Sequence, residues 1–348
     1  MTIDRRKLIT AGAGMSVFSA AIAVASRPAR AHRSAALKAS SFDIAGDRGG
    51  AQQVLKVNLI AHDKRDQTSV LQQAIDQAAQ SGVAVALPPG RFVVGNITLR
   101  EGSILLGAHS KTTLEFAGRS SFLKAENADG IRIMNLNLDG MVYAKELILL
   151  RFCRDIILED VTLRNTTGNA IDLKGCSGRI SKCDVSNAGE AGIFSLDATG
   201  LEISSNRVFA CANNGILVWR SRTSEDGTIV RDNRVFDISA RNGGSGQHGN
   251  GINVFRANSV MVAGNRITDC AYSAVRANSA SNIQIIDNAC ERIGEVALYA
   301  EFGFQGALIS SNLVDTAACG ISVTNFNEGG RLAVIQGNLI RNLFRRAH

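Results

Sequence analysis

Arg220, Arg256 and Arg276 share a stretch of sequence with the chain's one tryptophan, Trp219, and with Phe255 and Tyr299. A guanidinium fork binds a carboxylate through two parallel N–H bonds, and a flat ring suits the apolar face of a sugar. Asn253 and Asn278 add amides, and Glu301 adds a carboxylate. His248, one of 5 histidines, lies in the run Gly243-Gly244-Ser245-Gly246-Gln247-His248-Gly249. Its ordinary pKa range suits proton transfer. These residue types fit an acidic, uronate-containing polysaccharide as partner. His248, Arg276, Glu301 and Arg256 are the catalytic candidates; Trp219, Arg220, Asn253, Phe255, Asn278 and Tyr299 are the substrate-binding ones. The chemistry would be removal of the proton beside a carboxylate, with arginines neutralising the anion, as in β-elimination or C5 epimerisation. A competing reading keeps the protein non-catalytic, a cell-envelope glycan-binding or structural repeat protein whose rings are covered by a loop or a partner.

A short phrase positions these residues. It consists of a small residue, an aliphatic, any residue, then a small or aliphatic residue. It reads Ala170-Ile171-Asp172-Leu173, Gly192-Ile193-Phe194-Ser195, Gly215-Ile216-Leu217-Val218, Gly251-Ile252-Asn253-Val254, Ala274-Val275-Arg276-Ala277, Ala297-Leu298-Tyr299-Ala300 and Gly320-Ile321-Ser322-Val323. The spacings are 22, 23, 36, 23, 23 and 23. A fixed period in strand-like sequence predicts a solenoid of about 23 residues per coil. Alternation points the first and third residues after the small one inward, and the second and fourth outward. The outward column then holds Asn253, Phe255, Arg276, Asn278, Tyr299 and Glu301. The long interval predicts a loop insertion at about 239–250, beside His248. A second recurrence, Asn206, Asn233, Asn265, Asn288, Asn312 and Asn338, predicts a structural amide ladder at a bend, the asparagines themselves taking the left-handed backbone.

Residues 1–31 read as a twin-arginine export signal: Asp4-Arg5-Arg6-Lys7, an apolar run from Ala11 to Ala25, then Ala29-Arg30-Ala31. The expectation is a periplasmic or secreted product, with the twin-arginine translocase as a partner during export. This segment carries +4 of the formal +7 charge. The remaining chain is near neutrality, and basicity gives no support for nucleic-acid binding. Residues 32–65 form an N-terminal segment. The 7 cysteines lack metal-ligand spacing and read as core thiols. No cofactor is expected; calcium is chemically possible, but Asp172 and Asp197 do not make an aspartate cluster.

Thr68 to Gln80 predicts an amphipathic helix, at about 68–81, with Leu71, Ala74, Ile75 and Ala78 on one face, Asp66 or Thr68 as cap and Gly82 after its end. Short strands at 83–87, 92–94, 97–99, 103–106 and 113–116 follow. Asp66, Thr68, Leu71-Gln72, Ala74-Ile75-Asp76 and Leu87-Pro88-Pro89-Gly90-Arg91-Phe92 resemble the opening of the pectate-lyase and polygalacturonase superfamily. The repeats with the export signal also resemble an uncharacterised family of twin-arginine-translocated repeat proteins. The superfamily resemblance implies an all-β, single-stranded right-handed parallel β-helix over 66–348 with an N-terminal capping helix. Against the polygalacturonase pattern, Asn165-Thr166-Thr167 lacks the aspartate, Glu190 stands without a second acid, and Arg276-Ala277-Asn278 keeps the arginine but not the lysine. Hydrolysis needs two carboxylates, so an enzyme here would be a lyase or epimerase instead. The Asp-Pro-His element of alginate epimerases is absent, and the last coil, from Asn338, starts without a following Gly-Ile strand.

Overall fold

The computed structural model describes residues 54–244, 246–324 and 328–345. The expected export signal and residues 32–53 lie outside them. The described chain has one helix, Thr68–Ser81; its other elements are strands. The helix buries Leu71, Ala74, Ile75 and Ala78 and ends at Gly82, whose φ of 66° lets its N–H turn back to Ala78 O. At its start the Thr68 N–H and hydroxyl both donate to the Asp66 carboxylate. Gln72 then closes the mouth of the solenoid. Its amide donates to Thr98 O at 2.9 Å and accepts the Thr98 N–H at 2.8 Å, replacing the neighbour that an end coil lacks.

The coils stack into three parallel ladders. The first contains Ile171–Lys174, Ala191–Leu196, Asn214–Glu225, Asn250–Asn258 and Val275–Asn278, and it continues into the second half of Ala289–Glu301. The second contains Gly178–Ser181, Glu202–Ser204, Ile229–Arg231, Met261–Ala263 and Ile283–Ile286. The third contains Asp184–Ala188, Arg207–Cys211, Arg234–Ile238 and Arg266–Cys270, and it continues into the first half of Ala289–Glu301. In the first ladder Ile171, Ile193, Ile216, Ile252, Val275 and Leu298 pair rung on rung, each 0 % exposed. Burying one such side chain contributes about 1.5–3 kcal/mol, and repetition of the rung multiplies it. The leading small residue is small because another ladder lies beneath it. A methyl on Gly215 would stand 2.6 Å from Val235 Cγ1.

The amide ladder is present at the corner between the second and third ladders. Asn265 is 0 % exposed. Its amide donates to Val230 O and Asn288 Oδ1, both at 3.0 Å, while its own oxygen accepts the Asn233 N–H and Nδ2, each at 3.0 Å. The left-handed residue is not the asparagine but the one before it: Ser205, Asp232, Gly264, Asp287, Ser311 and Gly337, with φ between 56° and 65°. The bend falls one position early, so that the asparagine side chain can turn inward. In the preceding coil Cys183 holds that place, its N–H donating to Asn206 Oδ1 at 2.9 Å. Burial pushes the Cys183, Cys211 and Cys290 thiols up to about 12. All seven cysteines are unbridged, and only Cys319 is not fully buried.

The 36-residue interval is not one insertion. Ile203 pairs with Val230, 27 positions on, whereas Ile180 pairs with Ile203, 23 positions on. Four of the extra residues are therefore accommodated before Val230, three of them where the register shifts between Trp219 and Ser224. The other nine lie between Ile238 and Asn250. At the far end the last strands, Arg331–Gln336 and Leu339–Arg341, are exposed throughout.

Candidate functional site

The first ladder carries two outward columns. Asp172, Phe194, Leu217, Asn253, Arg276 and Tyr299 occupy successive rungs of one. Lys174, Leu196, Trp219, Phe255, Asn278 and Glu301 occupy the other. Adjacent rungs are about 4.8 Å apart, so the columns bring seven of the ten candidate residues onto one face. They are Trp219, Asn253, Phe255, Arg276, Asn278, Tyr299 and Glu301.

The rings pack on one another rather than lying flat. Trp219 meets Phe194 at 5.4 Å and 83°, and Phe255 at 5.6 Å and 64°. Its indole N–H donates to Asn253 Oδ1 at 3.3 Å. The edge-to-face arrangement fixes the indole and presents ring edges outward. Arg256, with φ 58°, is exposed at the end of this cluster, 4.7 Å from the Phe255 centroid, and donates to Ser221 O at 3.3 Å.

Arg276 and Glu301 form the buried polar centre. Arg276 Nε lies 2.6 Å from Glu301 Oε1, with side-chain exposures of 11 % and 3 %. Asn278 Nδ2 donates to the same oxygen at 2.9 Å. The guanidinium also sits 5.1 Å from the Tyr299 centroid. Burial, followed by the Glu301 charge, raises the Tyr299 phenol above its ordinary range. With two donors already on it, Glu301 orients Arg276. Arg276 Nη1 is buried without a hydrogen-bond partner among the described residues. Gly246 lies against this guanidinium; any side chain there would collide with it.

His248 belongs to the same loop, two residues before the strand Asn250–Asn258. Gln247 O accepts Asn214 Nδ2 at 3.2 Å and Gly246 O accepts Asn250 Nδ2 at 2.9 Å. These bonds seat His248 just before strand Asn250–Asn258. Its Nδ1 is buried with no hydrogen-bond partner among the described residues. Arg220 turns away from the face. It donates to Ala198 O at 2.7 Å and lies 3.6 Å from Asp226. Burial raises the Asp226 carboxyl, and the bonds from Thr228 and the Arg220 charge offset only part of that rise. Arg220 thus anchors the four-residue insertion.

Two participants went unmarked by the period. Glu190 accepts Asn213 Nδ2 at 2.8 Å and Asn242 Nδ2 at 3.0 Å, holding the loop to the coil below. A second amide series, Asn169, Asn214 and Asn250, receives backbone N–H groups from the next coil and supports the loop's return. Its signal was visible: each asparagine immediately precedes the small residue of a repeat phrase. Among the described residues no group of three or more His, Cys, Asp or Glu is placed to hold a metal ion.

Three parallel ladders around one apolar core define a β-solenoid. The family model described as "Right handed beta helix region" matches residues 122–246 and 169–340, and the chain belongs to that family. Among solved structures it is similar to the A-module of the Azotobacter vinelandii mannuronan C-5 epimerase AlgE4. The two share 16% identity, with 82% of this chain and 94% of that one covered and a TM-score of 0.65. The catalytic unit of the GH87 alpha-1,3-glucanase from Streptomyces thermodiastaticus strain HF3-3 is 14% identical, covering 86% and 70% of the two chains with a TM-score of 0.53. The enzymatically active domain of bacteriophage CBA120 tailspike protein 2 is 13% identical, covering 80% and 44%, with a TM-score of 0.56. These likenesses establish the fold.

Proposed function

We propose that this protein is exported and acts on an acidic polysaccharide lying across the first ladder between Trp219 and Glu301, by removing the proton beside a uronate carboxylate. The observation that carries the reading is the polar centre. Glu301 fixes Arg276 through Nε, and among the described residues neither Arg276 Nη1 nor His248 Nδ1 has a hydrogen-bond partner; His248 lies two residues before the strand that carries Asn253 and Phe255. In that chemistry a base takes the C5 proton and the electron pair moves into the carboxylate, whose negative charge a guanidinium stabilises. Return of a proton to the other side of the ring gives the epimer. Departure of the 4-oxygen gives an unsaturated end. His248 is the base candidate, Arg276 the carboxylate partner and Tyr299 a proton source. The ring cluster of Trp219 and Phe255, with Arg256, borders the sugar. Structural neighbours whose names include a mannuronan epimerase and a glucanase support a glycan as the ligand.

One observation favours the non-catalytic reading: Glu301, the acid on this stretch of the face, is 3 % exposed and already paired. Incubation with polymannuronate, polyguluronate and polygalacturonate separates the two readings. The catalytic one expects new unsaturated ends or inverted C5 centres, and loss of either signal in His248→Ala. Binding that Trp219→Ala abolishes, without turnover of any polymer, establishes the non-catalytic one. Neither binding nor turnover contradicts both.

A further inference from the structure

The outward faces of the solenoid follow a rule: an arginine on one rung meets an acid on a neighbouring rung. Arg91 pairs with Glu115, Arg154 with Asp129, Arg179 with Glu159, Arg231 with Glu202, Arg292 with Asp269 and Arg341 with Asp315. One column of the third ladder departs from it. Arg207, Arg234 and Arg266 stand directly opposite one another on three consecutive rungs, and all three are exposed. Asp184 neutralises Arg207 from the rung before, at 2.9 Å. Arg234 and Arg266 form no ion pair or hydrogen bond among the described residues. The nearby corner acids Asp232 and Asp269 are taken by Arg231 and Arg292, while Asp237 stands at the other end of the Arg234 strand. Like charges directly opposed on neighbouring strands destabilise a sheet. Arg234 and Arg266 carry that cost without an ion pair among the described residues.

The neighbouring column holds the Arg207 guanidinium. Phe209 and Phe236 stack face to face, with centroids 4.9 Å apart and planes 6° from parallel. Arg207 lies over both, at 4.0 and 5.1 Å. Thr268 continues the column on the Arg266 rung. Rings stacked on each other along the axis leave their edges outward, so they offer no platform for a nucleobase.

We infer that the Arg207–Arg234–Arg266 column is a second polyanion site, which takes a stretch of acidic polysaccharide along the solenoid axis. One guanidinium per rung, about 4.8 Å apart, presents a repeating set of charged donors to a repeating set of carboxylates or sulfates. The three arginines and two rings belong to another ladder than the face proposed above, and the inference does not rest on that reading.

The test is binding of polymannuronate and of neutral dextran to the full chain, in a Trp219→Ala background and over a series of salt concentrations. The expected result is salt-sensitive binding of polymannuronate alone, weakened at least roughly tenfold by Arg234→Gln/Arg266→Gln. Arg234→Lys/Arg266→Lys should lose less, because it keeps the charge. The glutamine variant should melt no earlier than the parent, since removing a like-charge contact does not weaken the fold. Equal polymannuronate affinity in the parent and the glutamine variant overturns the site. Binding of a polynucleotide as tight as that of polymannuronate overturns the assignment to a polysaccharide.

Discussion

At the residue scale, the decisive contact is Arg276 with Glu301. Breaking a buried pair leaves a charge without a partner, whereas replacing both members with apolar groups of similar size can be nearly neutral. Glu301→Gln should therefore lower stability by about 2–4 kcal/mol, and Arg276→Met/Glu301→Leu by clearly less, as read from urea midpoints. A second prediction concerns Asp139. Burial would raise its carboxyl, but the Asn165 amide, the Met141 N–H and the Arg164 guanidinium together hold it below the ordinary carboxylate range. A depressed folded-state pKa stabilises the fold above the unfolded value of about 3.9, and that contribution disappears as pH falls through the folded value. Asp139→Asn should flatten this acid limb of the stability curve, measured as urea midpoint against pH. The outward placement of Arg276, Asn278 and Glu301 was legible in the sequence, because alternation fixes which face a side chain takes. Their pairing was not, because alternation says nothing of how far a long side chain leans along the axis. Arg220 shows the same limit: it follows Trp219 in sequence, yet reaches beneath the coil toward Asp226.

At the element scale, the coil is held by amides at its corners as well as by aliphatic rungs. Asn265→Ala would remove a donor from the Val230 carbonyl and leave the Asn233 N–H buried without its partner. It should lower stability by about 2–4 kcal/mol, with the urea m-value unchanged if unfolding stays cooperative. The recurrence of these asparagines was readable because a solenoid repeats its bends as faithfully as its strands. The residue that bears the left-handed backbone was not, since that place is filled by Ser, Asp or Gly, and so shows no single-letter signal. The helix was legible in its bounds and its buried face, Leu71, Ala74, Ile75 and Ala78, but its N-cap is Gln67 rather than Asp66 or Thr68. The division of the long interval was hidden for a related reason. The repeat phrase samples only the first ladder, and the register of the second is needed to see that four residues enter before Val230.

At the scale of the whole molecule, the three ladders share one core but present different chemistry. The first carries packed rings with a buried ion pair, and the third carries a column of arginines. The period made this architecture readable because each rung repeats the same burial, and one break in it located the loop that seats His248. The direct test of the central proposal is release of deuterium into water from uronate polymers labelled at C5. The wild-type protein should release the label from at least one polymer, and His248→Ala should slow release by about 10²–10⁴-fold. A wild-type protein that binds such a polymer yet releases no label from it would contradict the catalytic account.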